Sequence, residues 1–132
     1  MRDYLFEDKE IDLQFIETLK FDEKGLIPAV IQDVDTKEVL MVAYMNKESI
    51  KETLNTKKAC YFSRSRQKLW TKGETSGNVQ EVKGFYYDCD KDTILLNVKQ
   101  KGVACHSGNY SCFFNEVLQN NEMTQRELIE RL

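Results

Sequence analysis

The chain is short of several things, and each shortage narrows what it can be. Among its 132 residues there is one proline, Pro28, one histidine, His106, and one tryptophan, Trp70. No internal repeat, low-complexity tract or Pro/Gly/Ser-rich linker interrupts it, and the length fits one domain on the usual scale of about 100–200 residues. No apolar run approaches the ~20 residues needed to span a bilayer. The opening MRDYLFEDKEIDL mixes charges with hydrophobes where a secretory signal needs an apolar stretch. A cytoplasmic chain with no membrane partner is therefore expected. Excess positive charge is missing too: 19 Lys and Arg stand against 22 Asp and Glu, a net charge of −3. That balance argues against a nucleic-acid coat or a binder of anionic membranes. What is present, 41% hydrophobic and 31% charged residues, is enough to bury a core.

Residues 10–21, EIDLQFIETLKF, put Ile11, Phe15, Ile16 and Leu19 on one stripe at helical spacing and predict an amphipathic helix. After Gly25, LIPAVIQDV reads as a strand and VLMVAYM (39–45) as its partner across the polar turn DVDTKE. Asn46 is placed to cap a short helix through Leu54. From Ala59 onward ACYFSR, EVKGFYYDCD, DTILLNVKQ and SCFFNEV (111–117) are rich in aromatic and β-branched residues and read as strands. Near the end, NNE (120–122) is the candidate joint, and Thr124 with Glu127 forms a capping box that opens a last short helix, 124–132. The fold class expected is α+β: a strand-rich, mostly antiparallel sheet with helices near the termini. Alternating βαβ units are absent, which excludes a Rossmann-like sheet.

Three clusters can carry chemistry. The first is Asp88-Cys89-Asp90-Lys91-Asp92. Alternation at a strand end would bring the three carboxylates to one face and send Cys89 to the other. Clustered carboxylates repel one another, and a hard cation such as Mg²⁺ relieves the repulsion. An EF-hand also opens D-x-D-x-D, but its sixth position here is Thr93 instead of Gly and its twelfth is Lys99 instead of Glu. A cation site and a solvated acidic turn both stay open for this pentapeptide.

The second cluster is Cys105-His106 and Cys112, with Cys89 upstream, giving C-x15-C-H-x5-C. Thiolates bind zinc strongly, and three protein ligands with an open fourth position is the pattern of a catalytic zinc. The paired cysteines of a zinc finger or ribbon are missing. Neighbouring residues of an extended chain point apart, so the economical split gives Zn²⁺ to the cysteines and leaves His106 free as an acid or base near pH 7. Cysteine is also among the most buried residue types, so plain packing competes with this reading. Gly102, Ser107, Gly108, Asn109 and Ser111 are loop residues and weigh against it. Cys60, among hydrophobic neighbours, reads as core.

The third cluster runs from Ser63-Arg64-Ser65-Arg66 through Trp70, Lys72 and Gly73 to Ser76-Gly77. Alternation places the two arginines on one face. Arginine forks and a Gly/Ser/Thr loop with free N–H groups both suit phosphate oxygens. Trp70 either stacks on a base or anchors the core. No Walker A or dinucleotide fingerprint occurs. A zinc ion on three cysteines is how some nucleobase deaminases attack a ring carbon, but their H/C-x-E and P-C-x-x-C signature is absent. A zinc hydrolase acting on a nucleotide-like ring fits better.

On these residues the chain resembles a known family. SRSRQKLWTKGETSGNVQ (63–80) and DCDKDTILLNVKQKGVACHSGNYSCFF (88–114) closely resemble phosphoribosyl-AMP cyclohydrolase of histidine biosynthesis, and GLIPAVIQDVDTKEVLMVAYMN (25–46) is similar to the start of that domain. The resemblance covers about residues 11–115 in order. The segment after Asn115 is too short for the pyrophosphohydrolase domain often fused to this one, so a monofunctional chain is expected. The resemblance implies Zn²⁺ on Cys89, Cys105 and Cys112, with Cys89 from one subunit and the other two from its partner. It implies Mg²⁺ on Asp88, Asp90 and Asp92, a catalytic His106, and an intertwined homodimer with active sites at the interface. The reaction implied is hydrolytic opening of the N1–C6 bond of the adenine ring in the nucleotide 1-(5-phosphoribosyl)-AMP. Arg64, Arg66, Trp70, Lys72, Ser76 and Gly77 are then the residues expected to hold that substrate. Two other classes compete. A deaminase would release ammonia, and a binding module with a structural zinc would need four protein ligands, hard to assemble from one histidine at this spacing.

Overall fold

The computed structural model describes residues 12–118. Ile11, the NNE joint and the capping box at Thr124 lie outside the described residues. Four strands form one sheet in the order β2-β1-β6-β5: β1 (Ile27–Asp33), β2 (Val39–Met45), β5 (Gln80–Tyr87) and β6 (Ile94–Gln100). Two shorter strands, β3 (Cys60–Ser63) and β4 (Lys68–Thr71), make a separate hairpin. Among the described residues the helices are a 3₁₀ segment, Leu13–Thr18, and one α-helix, α1 (Lys47–Thr56).

Ile27, Ala29 and Ile31 of β1 alternate onto a buried face. Asp33 then turns the chain, its carboxylate accepting from the amides of Asp35 (2.7 Å) and Thr36 (3.1 Å), and β2 returns antiparallel. Helix α1 begins where expected: the Asn46 side chain accepts from the Ser49 amide at 2.8 Å and Ser49 Oγ accepts from the Asn46 amide at 2.9 Å. Ile50 and Leu54 face the core, and Thr53 Oγ1 accepts from the Cys60 amide (2.9 Å) and donates to the Cys60 carbonyl (3.1 Å). Cys60 is buried, as its neighbours predict.

The sheet is mostly antiparallel, as expected, with β1–β2 and β5–β6 both antiparallel, but it is mixed, because its central pair, β1 and β6, runs parallel from Ala29↔Ile94 to Asp33↔Val98. A strand's own pattern does not name a partner far along the chain, and the path through α1 and the β3–β4 hairpin supplies the long crossover that a parallel pair needs. The N-terminal helix is shorter and tighter than predicted. Asp12 caps it by accepting from the Gln14 amide, and Lys20 leaves it to donate to the Lys91 carbonyl at 2.8 Å. Phe15 stacks on Tyr87, with ring centroids 6.0 Å apart, and meets Phe85 edge-on. SCFFNEV is not a strand: the Cys112 amide bonds the Leu40 carbonyl of β2 at 2.7 Å, and beyond it Phe113 and Phe114 stand exposed.

A buried polar chain fixes the sheet end nearest the site. The Tyr61 hydroxyl donates to Gln80, whose amide donates to Gln100 at 2.8 Å; Gln100 in turn donates to the carbonyls of Lys101 (2.9 Å) and Asn78 (3.2 Å). The loop after β4 and the loop after β6 are thereby tied to one another. Among the described residues no helix is long and apolar enough to cross a membrane.

Candidate active site

Those two loops face each other across a cleft of about 710 Å³. Arg66, Trp70, Lys72 and Ser76 line one side, and Cys105, His106 and Cys112 the other. The loop after β4 turns back on itself through Gly73 (φ +82°), whose carbonyl accepts from the Gly77 amide at 2.7 Å. A Cβ on Gly73 would stand 2.3 Å from the Asn78 carbonyl carbon, so backbone meets backbone there. Asn78 then keys into the opposite loop, where a Cβ on Gly102 would fall 2.1 Å from its Oδ1.

The loop after β6 is a tight turn. Cys105 N–H donates to the Asn109 carbonyl and Gly108 N–H to the Cys105 carbonyl, at 3.1 and 3.0 Å. This places exposed His106 at the tip and returns the chain so that Cys112 lies beside Cys105. The far end is anchored on the sheet: Ser111 Oγ donates to the Val39 carbonyl at 2.7 Å, and the Tyr110 hydroxyl donates to buried Asp33 and lies 3.0 Å from Thr36 Oγ1. Cys105 Sγ is 2.9 Å from Ser107 Oγ. That hydroxyl first, then the Ser107 amide, hold the Cys105 thiol below its ordinary pKa, with Cys112 and Lys72 adding to them against a burial penalty. Burial pushes the Cys112 thiol up, and its Cys105 neighbour adds to the rise. Burial draws Lys72 down, opposed by the negative character of the two thiols.

The three aspartates do converge, but through a turn instead of strand alternation. β5 ends at Tyr87, Lys91 takes a left-handed conformation (φ +66°), and Asp88 accepts from the amides of Asp92 (3.0 Å) and Thr93 (3.1 Å). Ligand oxygens of Asp88, Asp90 and Asp92 lie within 4.8 Å of one another, all exposed. Desolvation works to raise Asp88, yet the Asp92 and Thr93 amides together with the Asp92 and Asp90 side chains outweigh it and leave the carboxyl below its usual range. Asp92 is raised by its crowding against Asp90 and then Asp88. Crowded carboxylate oxygens fit a hard cation, and the thiol pair Cys105–Cys112 fits half of a zinc site. Cys89 is exposed on the aspartate turn, and among the described residues no group of three potential ligands joins it to the other thiols. None of residues 88–92 lines the cleft. Within one chain the three cysteines are divided two and one.

Arg64 and Arg66 do not alternate on a strand, because residues 64–67 form the tip of the β3–β4 hairpin. Arg66 reaches the cleft, whereas the Arg64 guanidinium lies 4.0 Å from the centre of the Tyr44 ring. Trp70 both packs on Tyr61, centroids 5.6 Å apart, and lines the cleft. Gly77 adjoins the lining residue Ser76 without lining the cleft itself. Thr75 and Asn78 also line it and carry no motif that singles them out, since their placement depends on how close two distant loops approach.

The family model described as phosphoribosyl-AMP cyclohydrolase matches residues 41–114, a span that holds both loops, the aspartate turn and all three cysteines of the site. A phosphoribosyl-AMP cyclohydrolase of Chlorobium phaeobacteroides is 56% identical over 117 residues, covering 89% of this chain and 85% of that protein. One of Chloroherpeton thalassium is 58% identical over 115 residues, with 87% and 82% covered. A histidine biosynthesis bifunctional protein of Caldanaerobacter subterraneus is 56% identical over 120 residues, which is 89% of this chain and 58% of the longer protein. With likeness of this depth running through the whole cleft, the chain belongs to the phosphoribosyl-AMP cyclohydrolase family of enzymes.

Proposed function

We propose that this enzyme opens the N1–C6 bond of the adenine ring of 1-(5-phosphoribosyl)-AMP by hydrolysis, giving the formimino aminoimidazole-carboxamide ribonucleotide of L-histidine biosynthesis. The observation that carries the reading is the cleft itself, where a thiol pair, an exposed histidine and cationic side chains meet while the third cysteine stands elsewhere. Zn²⁺ is held by Cys105 and Cys112 of one subunit and by Cys89 of a second, and Mg²⁺ by Asp88, Asp90 and Asp92. The zinc supplies a water acidified towards a pKa of ~7, and the magnesium an anchor for substrate phosphate. The ring stacks on Trp70, and its ribosylated N1 leaves C6 electron-poor. Oxygen bonds to C6, the C6–N1 bond breaks with its electron pair going to N1, and His106 carries the proton that N1 receives. C6 keeps its exocyclic nitrogen and becomes the carboxamide. Arg66, Lys72 and the Ser76-Gly77 turn bind the substrate, with Arg64 on the same hairpin tip. Free thiolates for zinc suit a reducing compartment, the cytoplasm.

The divided cysteines make the homodimer testable. Ring opening changes the chromophore, so absorbance reads turnover of phosphoribosyl-AMP directly. His106→Ala is expected to lose turnover and keep zinc; Cys105→Ser is expected to lose both. Cys89→Ser and Cys112→Ser subunits, each inactive alone, are expected on mixing to recover about a quarter of wild-type activity, because half the dimers are mixed and each carries one intact site. Recovery of nothing refutes the shared site, and no turnover by the zinc-loaded wild type refutes the reaction.

A further inference from the structure

Lys72 follows directly on β4, its backbone N–H bonded to the Ala59 carbonyl at 3.0 Å. Only 7% of the residue is exposed, and it lines the cleft. Among the described residues no carboxylate pairs with its ammonium and no acceptor takes a hydrogen bond from it. Its stem is packed into the wall while the ammonium stays open to the cleft, so within one chain the charge is presented to the cleft and not to a carboxylate. Its surroundings separate it from the other cations of the region. Arg66 and Ser76 are exposed at the cleft rim, where a strongly hydrated phosphate sits at little desolvation cost. Lys72 is on the enclosed wall, where the charges it senses are those of Cys112 and Cys105. On the proposed function, that wall is the one the ring would meet at C6.

Resting on the function proposed above, we infer that Lys72 is a catalytic residue whose ammonium meets the oxygen as it adds to C6 and holds the negative charge that builds on it there, before that charge returns into the carbonyl and the C6–N1 bond breaks. It exchanges no proton in the balance: water's oxygen stays on C6, the electron pair and proton go to N1, and Lys72 contributes fixed positive charge. Such charge acts most strongly where water is excluded and the donor is already in place.

The test compares zinc-loaded wild type, Lys72→Met and Arg66→Met by steady-state absorbance with phosphoribosyl-AMP, with zinc content and urea midpoint measured on each. Methionine keeps the length and removes the charge. Lys72→Met is expected to lower kcat by about 10²–10³-fold, the loss typical of one preorganised charge-stabilising donor. Its KM, zinc content and urea midpoint should stay near wild type, because methionine keeps the packed stem and removes only a charge that faces the cleft. Arg66→Met should show the opposite split, a raised KM with kcat little changed. A raised KM with unchanged kcat in Lys72→Met would overturn the inference in favour of phosphate binding. Loss of zinc would assign the charge to the metal centre, and a lowered midpoint with matching loss of activity would assign it to packing; each overturns the inference. An inactive wild type, by contrast, sinks the proposed reaction itself.

Discussion

Gly73 and Gly77 lie in one loop with nearly the same backbone angle, φ +82° and +83°, yet differ in what surrounds them. A side chain in this left-handed region costs about 1–2 kcal/mol at either position. At Gly77 a Cβ meets nothing within 4 Å, so Gly77→Ala should incur that cost alone. At Gly73 the same Cβ stands 2.3 Å from the Asn78 carbonyl carbon, 2.4 Å from the Val79 nitrogen and 2.6 Å from the Asn78 oxygen. All three are backbone atoms, so no rotamer change relieves them and the loop must open. Forced overpacking adds about 1–3 kcal/mol. Gly73→Ala should therefore cost about 2–5 kcal/mol, and since the loop carries Lys72, Ser76 and Asn78 into the cleft, turnover should fall with it. Urea unfolding at one fixed protein concentration checks this, with an unchanged slope to license the comparison of midpoints. Equal destabilisation by the two alanines would refute the reasoning, because the close backbone approach would then have no energetic consequence.

Asn46→Ala removes one half of a reciprocal cap and should cost about 1 kcal/mol, a fall of about 3–5 °C in the thermal midpoint, with turnover unchanged at low temperature. Tyr61→Phe leaves the buried Gln80 carbonyl oxygen without its hydroxyl donor and should cost about 1–3 kcal/mol in urea unfolding. Tyr110→Phe changes the acid limb of stability. Burial works to raise Asp33, but the Tyr110 hydroxyl and the Thr36 and Asp35 amides hold its carboxyl below the usual range. A lowered folded pKa gives stability that is present above the unfolded value of ~3.9 and lost as pH falls through the folded one. Without the hydroxyl the folded pKa rises, so acid unfolding followed by circular dichroism should begin at higher pH than in wild type.

The parts of the fold legible beforehand are those decided locally. VLMVAYM is bounded by charged Lys37-Glu38 and by the cap at Asn46, and β2 spans those same seven residues. Helix α1 starts at its cap because that choice depends only on Asn46 and Ser49. What escaped depends on distant chain. The parallel β1–β6 pairing joins segments whose own patterns look alike in either direction. KLWT, four residues with exposed Lys68 and Leu69, is too short to show a period, and it becomes β4 because Trp70 packs on Tyr61 of β3. Phe113 and Phe114 have the propensity for a strand but no ladder to join, and propensity without a neighbour does not make one.

The candidate site divides the same way. Cys105, His106 and Cys112 could be named from residue type and spacing, because an eight-residue segment with two glycine or serine turns has few ways to avoid bringing its ends together. The aspartates were rightly grouped for a reason that does not hold: they meet because Lys91 turns left-handed and Asp88 accepts two amides, not because alternate residues share a strand face. For the arginines the same alternation misleads, since a hairpin tip intervenes and sends Arg64 to Tyr44 and Arg66 to the cleft. Lys72 stood in the motif as one cation among several. Its packed stem, with no carboxylate of the described residues beside its ammonium, comes from two loops meeting around the cleft while Arg66 stays exposed at the rim, and nothing in the motif distinguishes the two cations in that way.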